Sequence, residues 1–297
     1  VDSKPVKLVG IGINVVDIYR HQGKMYPGGN EYNICYHAKE LGGVVGFMGV
    51  FAHDPAGELL AALFRGKGID LSRSRFECGS SGYAIVDLVE GDRVFVDWNK
   101  QGVTDLHPIS FSEEDLAYIG NFDIACASYA SRLTIEEIDK LKSTPAMVSY
   151  DFSDSFTKEN LRNICPGLDF AFLSCSHLED IETVKSILKT ATECGSKIAI
   201  ATLGRKGALA FDGSDFNFEP SLPNKAKDTM GAGDSFIAAF LMAYFSETNK
   251  NCSGGDRIQN SLQQAARFAS EIVMKEGALG ICHEIDINDI GKYIDLK

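Results

Sequence analysis

Short apolar runs alternate with amphipathic stretches along most of the chain. Runs rich in Val, Ile, Phe and Ala occupy residues 7–13, 44–50, 123–127, 146–152, 169–173 and 197–203. Each has strand length and is apolar at successive positions, as expected of parallel strands buried on both faces. Between them, helical spacing of apolar residues predicts helices over 29–41, 57–64, 112–119, 134–141 and 178–194. Ser112-Glu-Glu-Asp and Thr134-Ile-Glu-Glu place a capping hydroxyl before acidic first turns, a helix-start pattern. Strands alternating with helices imply a mainly parallel sheet covered on both sides, a three-layer α/β/α domain.

One segment changes period. Residues 82–98 alternate through Tyr83, Ile85, Asp87 and Val89, turn at Glu90-Gly91-Asp92, and alternate again to Trp98. That is a half-exposed β-hairpin set into an α/β chain. With an extended piece near residues 17–26 it predicts a small projecting sheet, placed to act as a lid. The last third turns helical, at 233–245 and 257–275, with a short closing helix at 286–294. No repeat or linker-like stretch divides the chain. Residues 1–297 therefore read as one α/β domain, with lid strands inserted at about 14–27 and 82–99.

Composition removes some functions. With 29 Lys+Arg against 41 Asp+Glu, the net charge is -12, which argues against binding an extended phosphate backbone. It leaves room for a nucleotide, because backbone amides can bind phosphate on an acidic protein. The eight cysteines form no C-x-x-C pair, no His/Cys pattern has zinc spacing, and no H-E-x-x-H occurs. The apolar run 236–245 is far short of the ~20 residues that span a bilayer, and the first residues lack a signal-peptide core. Asn251-Cys-Ser253 reads as a chance glycosylation match. The expectation is a soluble, cytoplasmic protein without nucleic-acid or membrane partners.

The most informative string is Asp228-Thr-Met-Gly-Ala-Gly-Asp-Ser-Phe236, which runs into an apolar helix. Glycines at a helix start leave unpaired amides facing outward, an anion site reinforced by the helix dipole. Asp234 in that first turn could accept the proton of an attacking hydroxyl. Equally, Asp228 or Thr229 could cap the helix while Asp234 complements its dipole. A second cluster, Gly28-Gly29-Asn30 with Asn33, puts two carboxamides one turn apart, and Asp17 lies just after the first strand. A carboxylate and two carboxamides suit sugar hydroxyls, although an Asx turn and an N-cap would use the same residues. Gly10-Ile-Gly12 begins a dinucleotide fingerprint but lacks its third glycine, which keeps a nicotinamide oxidoreductase as a weak alternative. There is no P-loop motif, and Phe211-Asp-Gly213 sits in a hairpin turn with no H-R-D elsewhere. That excludes P-loop and protein-kinase chemistry.

These strings together resemble the ribokinase/PfkB carbohydrate kinases. Asp228–Phe236 is similar to that family's D-T-x-G-A-G-D-x-F signature, Gly28-Gly29-Asn30 with Asn33 to its G-G-x-x-x-N element, and Thr202-Leu-Gly204-Arg-Lys-Gly207 to its T-x-G-x-x-G turn. Order and spacing fit from about residue 7 to 280. Within the family, Val16–Tyr19, Asp92–Phe95, Asp151–Asp154, Asp169–Phe172 and Met230–Ile237 are most similar to the fructosamine-phosphorylating branch.

The resemblance implies an ATP-dependent kinase acting on a primary hydroxyl of a sugar, fructoselysine or a related fructosamine, to give the 6-phosphate. A fructokinase, a 2-keto-3-deoxygluconate kinase, a nucleoside kinase and a catalytically dead sugar binder stand as alternatives. It further implies Asp234 as base and the amides of Gly231, Ala232 and Gly233 as anion hole. Asp17, Gly28, Gly29, Asn30 and Asn33 would hold the sugar, with Arg93 reaching down from the lid. Thr202, Gly204, Gly207, Asp228, Ala266 and Ser270 would border ATP, and Mg²⁺ would come with it. Two departures stand out. The family's N-x-x-E reads Ser176-His-Leu-Glu179 here, which keeps Glu179 as an indirect metal contact, and Lys227 replaces an apolar residue. A ribokinase-like lid also implies a homodimer formed through its strands.

Overall fold

The computed structural model describes residues 4–89, 92–222, 225–246, 248 and 252–294; for 88, 89 and 92–95 it describes the backbone only. Glu90 and Gly91 of the expected hairpin turn, and Asn251, lie outside the described residues. Eight strands form the main sheet: β1 (Lys7–Ile11), β4 (Val44–Met48), β9 (Ile124–Ser128), β10 (Met147–Asp151), β11 (Phe170–Ser174), β12 (Ile198–Thr202), β13 (Ala208–Phe211) and β14 (Phe216–Glu219). Their order is β14-β13-β12-β11-β10-β9-β1-β4. All six expected apolar strands are present and run parallel to one another, and the hairpin β13–β14, antiparallel to β12, extends one edge.

The two-sided burial read from the apolar runs has a direct counterpart in packing. Ile124, Cys126, Phe170, Phe172, Ile198 and Ile200 point into one core. Their neighbours Ala125, Ala127, Ala171, Leu173, Ala199 and Ala201 point into the other. The period of two along each strand divides them. The first core lies under α1 (Asn30–Glu40), α8 (Ala232–Tyr244) and α9 (Gly254–Ile272). Phe240 of α8 sits edge-on to Phe172, with ring centroids 5.6 Å apart. The second core is covered by α4 (Glu113–Ile119), α5 (Ile135–Lys142), α6 (Lys158–Ile164) and α7 (Ile181–Glu193). The expected caps form: Ser112 makes a capping box with Asp115, and Thr134 accepts from the Glu137 amide.

The second sheet joins the two irregular segments. β2 (Val15–Tyr19) pairs antiparallel with β3 (Lys24–Gly28) and parallel with β7 (Gly82–Val89), which in turn pairs with β8 (Asp92–Trp98). β15 (His283–Glu284) adds an outer strand beside β3. β5 (Val50–Ala52) and β6 (Arg75–Glu77) make a small parallel pair, and α2 (Pro55–Lys67) runs longer than its apolar pattern. Asp54 caps α2, accepting from the Gly57 amide at 2.8 Å. Short α3 (Val103–Leu106) follows β8. The closing helix expected at 286–294 is reduced to a 3₁₀ turn, Ile290–Lys292. α9 begins at Gly254, behind a Ser253 cap, and stops at Ile272 rather than at Lys275.

Candidate active site

The order of the main sheet reverses at β1: the chain first adds β4 on one side, then β9 on the other. In α/β sheets ligands bind at such a switch point, outside the carboxyl ends of the strands. Register brings polar side chains together along that edge, since Asp151 pairs with Ser128, and Ser174 with Thr202. A cavity of about 110 Å³ opens there, its wall including Asn30, Asp151, Ser174, Thr202, Gly233 and Asp234.

Asp234 stands in the first turn of α8, and Asn33 of α1 donates to its Oδ2 at 2.7 Å. Two helices on one face of the sheet thus aim a carboxylate and a carboxamide at each other. Enclosure by protein raises the Asp234 pKa well above the ordinary value, the Asn33 hydrogen bond opposes this, and the charges of Asp151, Glu31 and Asp17 add to the rise. Gly231 is the N-cap of α8, with φ +70, and no side chain caps the helix. Neither Asp228 nor Thr229 caps it. A Cβ placed on Gly233 would meet nothing within 4 Å; the space beside the helix start is open. Among the described residues no hydrogen bond engages the amides of Gly233 and Asp234.

Asp228 is the expected nucleotide contact that the fold uses otherwise. It is 2% exposed. Its Oδ2 accepts from the Tyr19 hydroxyl at 3.0 Å and the Gly277 amide at 2.9 Å, while Oδ1 accepts from the Met230 amide at 2.8 Å. It ties the glycine loop to β2 and to the turn after α9. Lys227 beside it forms an ion pair with Glu276 at 3.0 Å, and Glu276 also lies 3.4 Å from Lys24. That gives this departure from the family pattern a structural role.

Asp17 and the Gly28-Gly29-Asn30 cluster meet at the paired strands β2 and β3. Gly28 ends β3, Gly29 caps α1, and a Cβ on Gly28 would lie 2.7 Å from Asp17 Oδ2. Burial pushes the Asp17 carboxyl up to about 7, and Asp228 adds to it. Asn30 Nδ2 lies 3.4 Å from Asp151 Oδ2, so Asn30 and Asn33 each face a carboxylate. The Gly10/Gly12 pair has a packing explanation. A Cβ there would sit 2.4 Å from Cys35 Sγ or 2.1 Å from Glu31 Oε2. The glycines let α1 lie close on β1, and β1 runs on into β2 rather than opening a helix. The dinucleotide reading loses its structural context.

The remaining candidates are more dispersed. Thr202 lines the Asp234 cavity, and Gly204 opens the 3₁₀ turn Gly204–Lys206 that follows, closed by the Leu203 amide on the Gly207 carbonyl at 2.8 Å. Ala266 and Ser270 lie half-buried on α9. The Arg93 backbone is in β8, opposite Leu88, and its side chain lies outside the described residues. Glu179 is exposed and lines a different cleft, with Leu178, Lys206 and Phe218.

Asp151 is the main site residue that motif reading did not assign. It is 9% exposed, and burial pushes it up to about 6 against the Ser153 amide and Asn30 hydrogen bonds. Glu31, wholly buried, accepts from the Ile13 amide at 3.1 Å and is pushed up to about 7 by burial. The signal for Asp151 is a titratable residue closing an apolar parallel strand, which by topology stands at the ligand edge.

Known proteins give the arrangement a context. Residues 3–284 match the family model for pfkB family carbohydrate kinases. The chain is 35% identical to the fructosamine kinase FrlD of Bacillus subtilis, over 96% of this chain and 97% of that protein. It is 31% identical to the fructoselysine 6-kinase of Escherichia coli, over 91% of this chain and 98% of that protein. In fold it is similar to Arabidopsis thaliana ribokinase complexed with ribose and ATP. The TM-score is 0.78 at 22% identity, covering 97% of this chain and 98% of the other.

Proposed function

The chain belongs to the pfkB family of carbohydrate kinases, and from that premise we propose that it phosphorylates a fructosamine, fructoselysine first among them, at the primary 6-hydroxyl with ATP. The observation that carries the reaction chemistry is the Asp234–Asn33 pair, 2.7 Å apart at the wall of a cavity that also holds Thr202 and Asp151. The acceptor follows from the similarity to two kinases named for fructosamine and fructoselysine.

Asp234 takes the hydroxyl proton as the sugar oxygen bonds to the γ-phosphorus and the bond to the β-phosphate oxygen breaks, leaving ADP. Enclosure raises the basicity of Asp234, and Asn33 holds the carboxylate in place. General-base help of this kind contributes about 10²–10⁴-fold. The amides of Gly231 and Gly233 would face the charge that develops on the transferred group, whereas the Ala232 amide, expected beside them, donates to the Thr229 carbonyl at 3.3 Å and would have to leave it to take part. Asp17, Gly28, Gly29 and Asn30 orient the sugar. Thr202, Gly204 and Gly207 border the nucleotide, with Ala266 and Ser270 on its adenine side and Asp228 fixing the loop between them.

Mg²⁺ fits this donor set. Asp151 offers a hard carboxylate oxygen to the cavity that Asp234 serves as base. This suits a cation that keeps much of its water and is held by one or two carboxylates together with phosphates. When bound, it supplies charge neutralisation at the phosphates. Glu179 would act only at a distance, through water.

The five-stranded sheet carries Asp17 on β2 and Arg93 on β8, which supports a role as a lid over the sugar. Its β8 is an edge strand with Val96 40% exposed, and such an edge invites pairing with a second copy. A homodimer through the lid is the corresponding reading, and sedimentation equilibrium tests it. A reducing, cytoplasmic setting is consistent with the eight free cysteines. No helix among the described residues is long and apolar enough to cross a membrane.

The test is ADP release with fructoselysine, other fructosamines, fructose, ribose, 2-keto-3-deoxygluconate and nucleosides in parallel. Fructosamines should give the highest kcat/KM. A higher value on a plain sugar or a nucleoside would move the enzyme to another branch, and ATP-independent hydride transfer would overturn the reading altogether.

A further inference from the structure

A second cleft, of about 430 Å³, lies between the five-stranded sheet and the turn that follows β9; Val15, Tyr83, Trp98, Lys100, Gln101 and Arg132 line it. It adjoins the sugar-binding residues. Val15 and Asp17 lie on the same face of β2 by the strand's period of two. In register, Val15 pairs with Gly28 and with Gly82, and Asp17 with Ala84, another residue of the cleft wall.

Its chemistry differs from that of the acidic pocket beside it. Two cations, Lys100 and Arg132, meet here in a chain of net charge -12. Arg132 Nη1 lies 3.2 Å from Asp105 Oδ1, which engages one arm of a guanidinium that carries five N–H donors. Gln101 is 8% exposed and donates through Nε2 to the Ala130 carbonyl. Its buried Oε1 has no hydrogen-bond partner among the described residues. A buried acceptor in that state is unusual and calls for a donor. Tyr83 and Trp98 supply apolar ring area along the same wall.

A plain sugar would use none of these groups. A sugar–amino-acid adduct would use all of them, since it continues from the sugar through methylenes to a carboxylate and an ammonium. We infer that this cleft is the subsite for the amino-acid part of the acceptor: Arg132 and Lys100 take its carboxylate, Gln101 Oε1 accepts from its ammonium once the side chain turns out toward the cleft it lines, and Tyr83 and Trp98 cover its methylenes. This rests on the fructosamine reading and adds to it, because it makes the enzyme selective for adducts of amino acids over adducts of simple amines. Bidentate arginine–carboxylate contacts are among the stronger polar interactions, and their loss is read as a tenfold or larger fall in selectivity.

The enzyme tests this with two acceptors that share the fructosamine head: fructoselysine and 1-deoxy-1-(n-butylamino)fructose, the rearranged adduct of glucose with n-butylamine, which lacks the carboxylate and the α-ammonium. Trp98 is the one tryptophan in the chain, so its fluorescence reports occupancy of the cleft without catalysis. Fructoselysine should change the emission saturably and be used with a kcat/KM at least tenfold above that of the butylamino compound, which lacks both charged groups of the amino acid. In Arg132→Ala and Lys100→Ala this ratio should fall toward one. Thermal melting identifies a variant that fails to fold, and Trp98→Phe, at an exposed position, removes the signal while leaving the charges. Equal use of both acceptors by the parent, or a ratio unmoved in both charge variants, overturns the subsite while the fructosamine activity stands. Phosphorylation of neither acceptor overturns the subsite together with the reading beneath it.

Discussion

Gly233→Ala separates a glycine kept for function from one kept for folding. The residue lies in the first turn of α8, and a Cβ there meets no protein atom within 4 Å. Replacing a helical glycine by alanine at an unstrained position is worth about 0.5–1 kcal/mol of stability. For a chain of this size that raises the melting temperature by about 1–4 °C. The new methyl group occupies the space assigned to the transferred phosphoryl group. Weakening one oxyanion-type contact costs about 10²–10³-fold, so kcat/KM should drop by at least about 10²-fold in an ADP-release assay. Gly231→Ala supplies the contrast, with φ +70 and a Cβ that would stand 2.5 Å from Ala278 Cβ. Left-handed backbone alone costs alanine about 1–2 kcal/mol, and the clash adds to that. Gly231→Ala should therefore lose stability and activity together. A Gly233→Ala enzyme that melts at a higher temperature and retains activity within threefold would refute the assignment of that space to phosphate.

The site acids give two further tests. Asp151 raises the Asp234 pKa and the Asn33 hydrogen bond lowers it, so the acid limb of kcat/KM should move to lower pH in Asp151→Asn and to higher pH in Asn33→Ala. Shifts in the same direction would show that the limb does not report Asp234. Asp17 titrates at about 7 in the fold against 3.8 as a free group. Between those values the native state binds more protons than the unfolded chain, so this group's contribution to stability falls as pH rises from about 4 to 7. Asp17→Asn should stabilise the ligand-free protein by about 4 kcal/mol at pH 8, with no gain near pH 4, and should lose sugar affinity. A gain independent of pH would contradict the cause assigned to it.

The main sheet was legible because its strands are buried on both faces, and runs such as Phe170–Leu173 show this without any partner residue. The expected lid segments also met as one sheet; a period of two marked residues 82–98, whereas β2 and β3 are buried at four of their five positions. Helix ends were less legible. Gly254 and Gly255 open α9 behind the Ser253 cap, although glycine is a poor helix former. The 286–294 pattern yielded only a 3₁₀ turn. Within the site, Asp234, Asn33, Asn30 and Thr202 were legible from short strings that fold locally. Asp228 was not, because its role depends on Tyr19 and Gly277, distant in sequence and adjacent only after folding. Asp151 closes an apolar strand without a motif, and only the strand order shows that it faces Asn30. The cationic cleft was illegible for a similar reason: Arg132 and Lys100 come from separate loops, and the overall charge of -12 pointed away from them.

The most direct test of the central claim is the turnover of Asp234→Asn with ATP and fructoselysine, measured beside fructoselysine binding to the same protein by Trp98 fluorescence. The carboxamide keeps the size of the side chain and can still hydrogen-bond to Asn33, but it cannot accept the hydroxyl proton. ADP formation should fall by about 10²-fold or more while the dissociation constant for fructoselysine stays within a few-fold of the parent. Turnover within threefold of the parent would contradict Asp234 as the base.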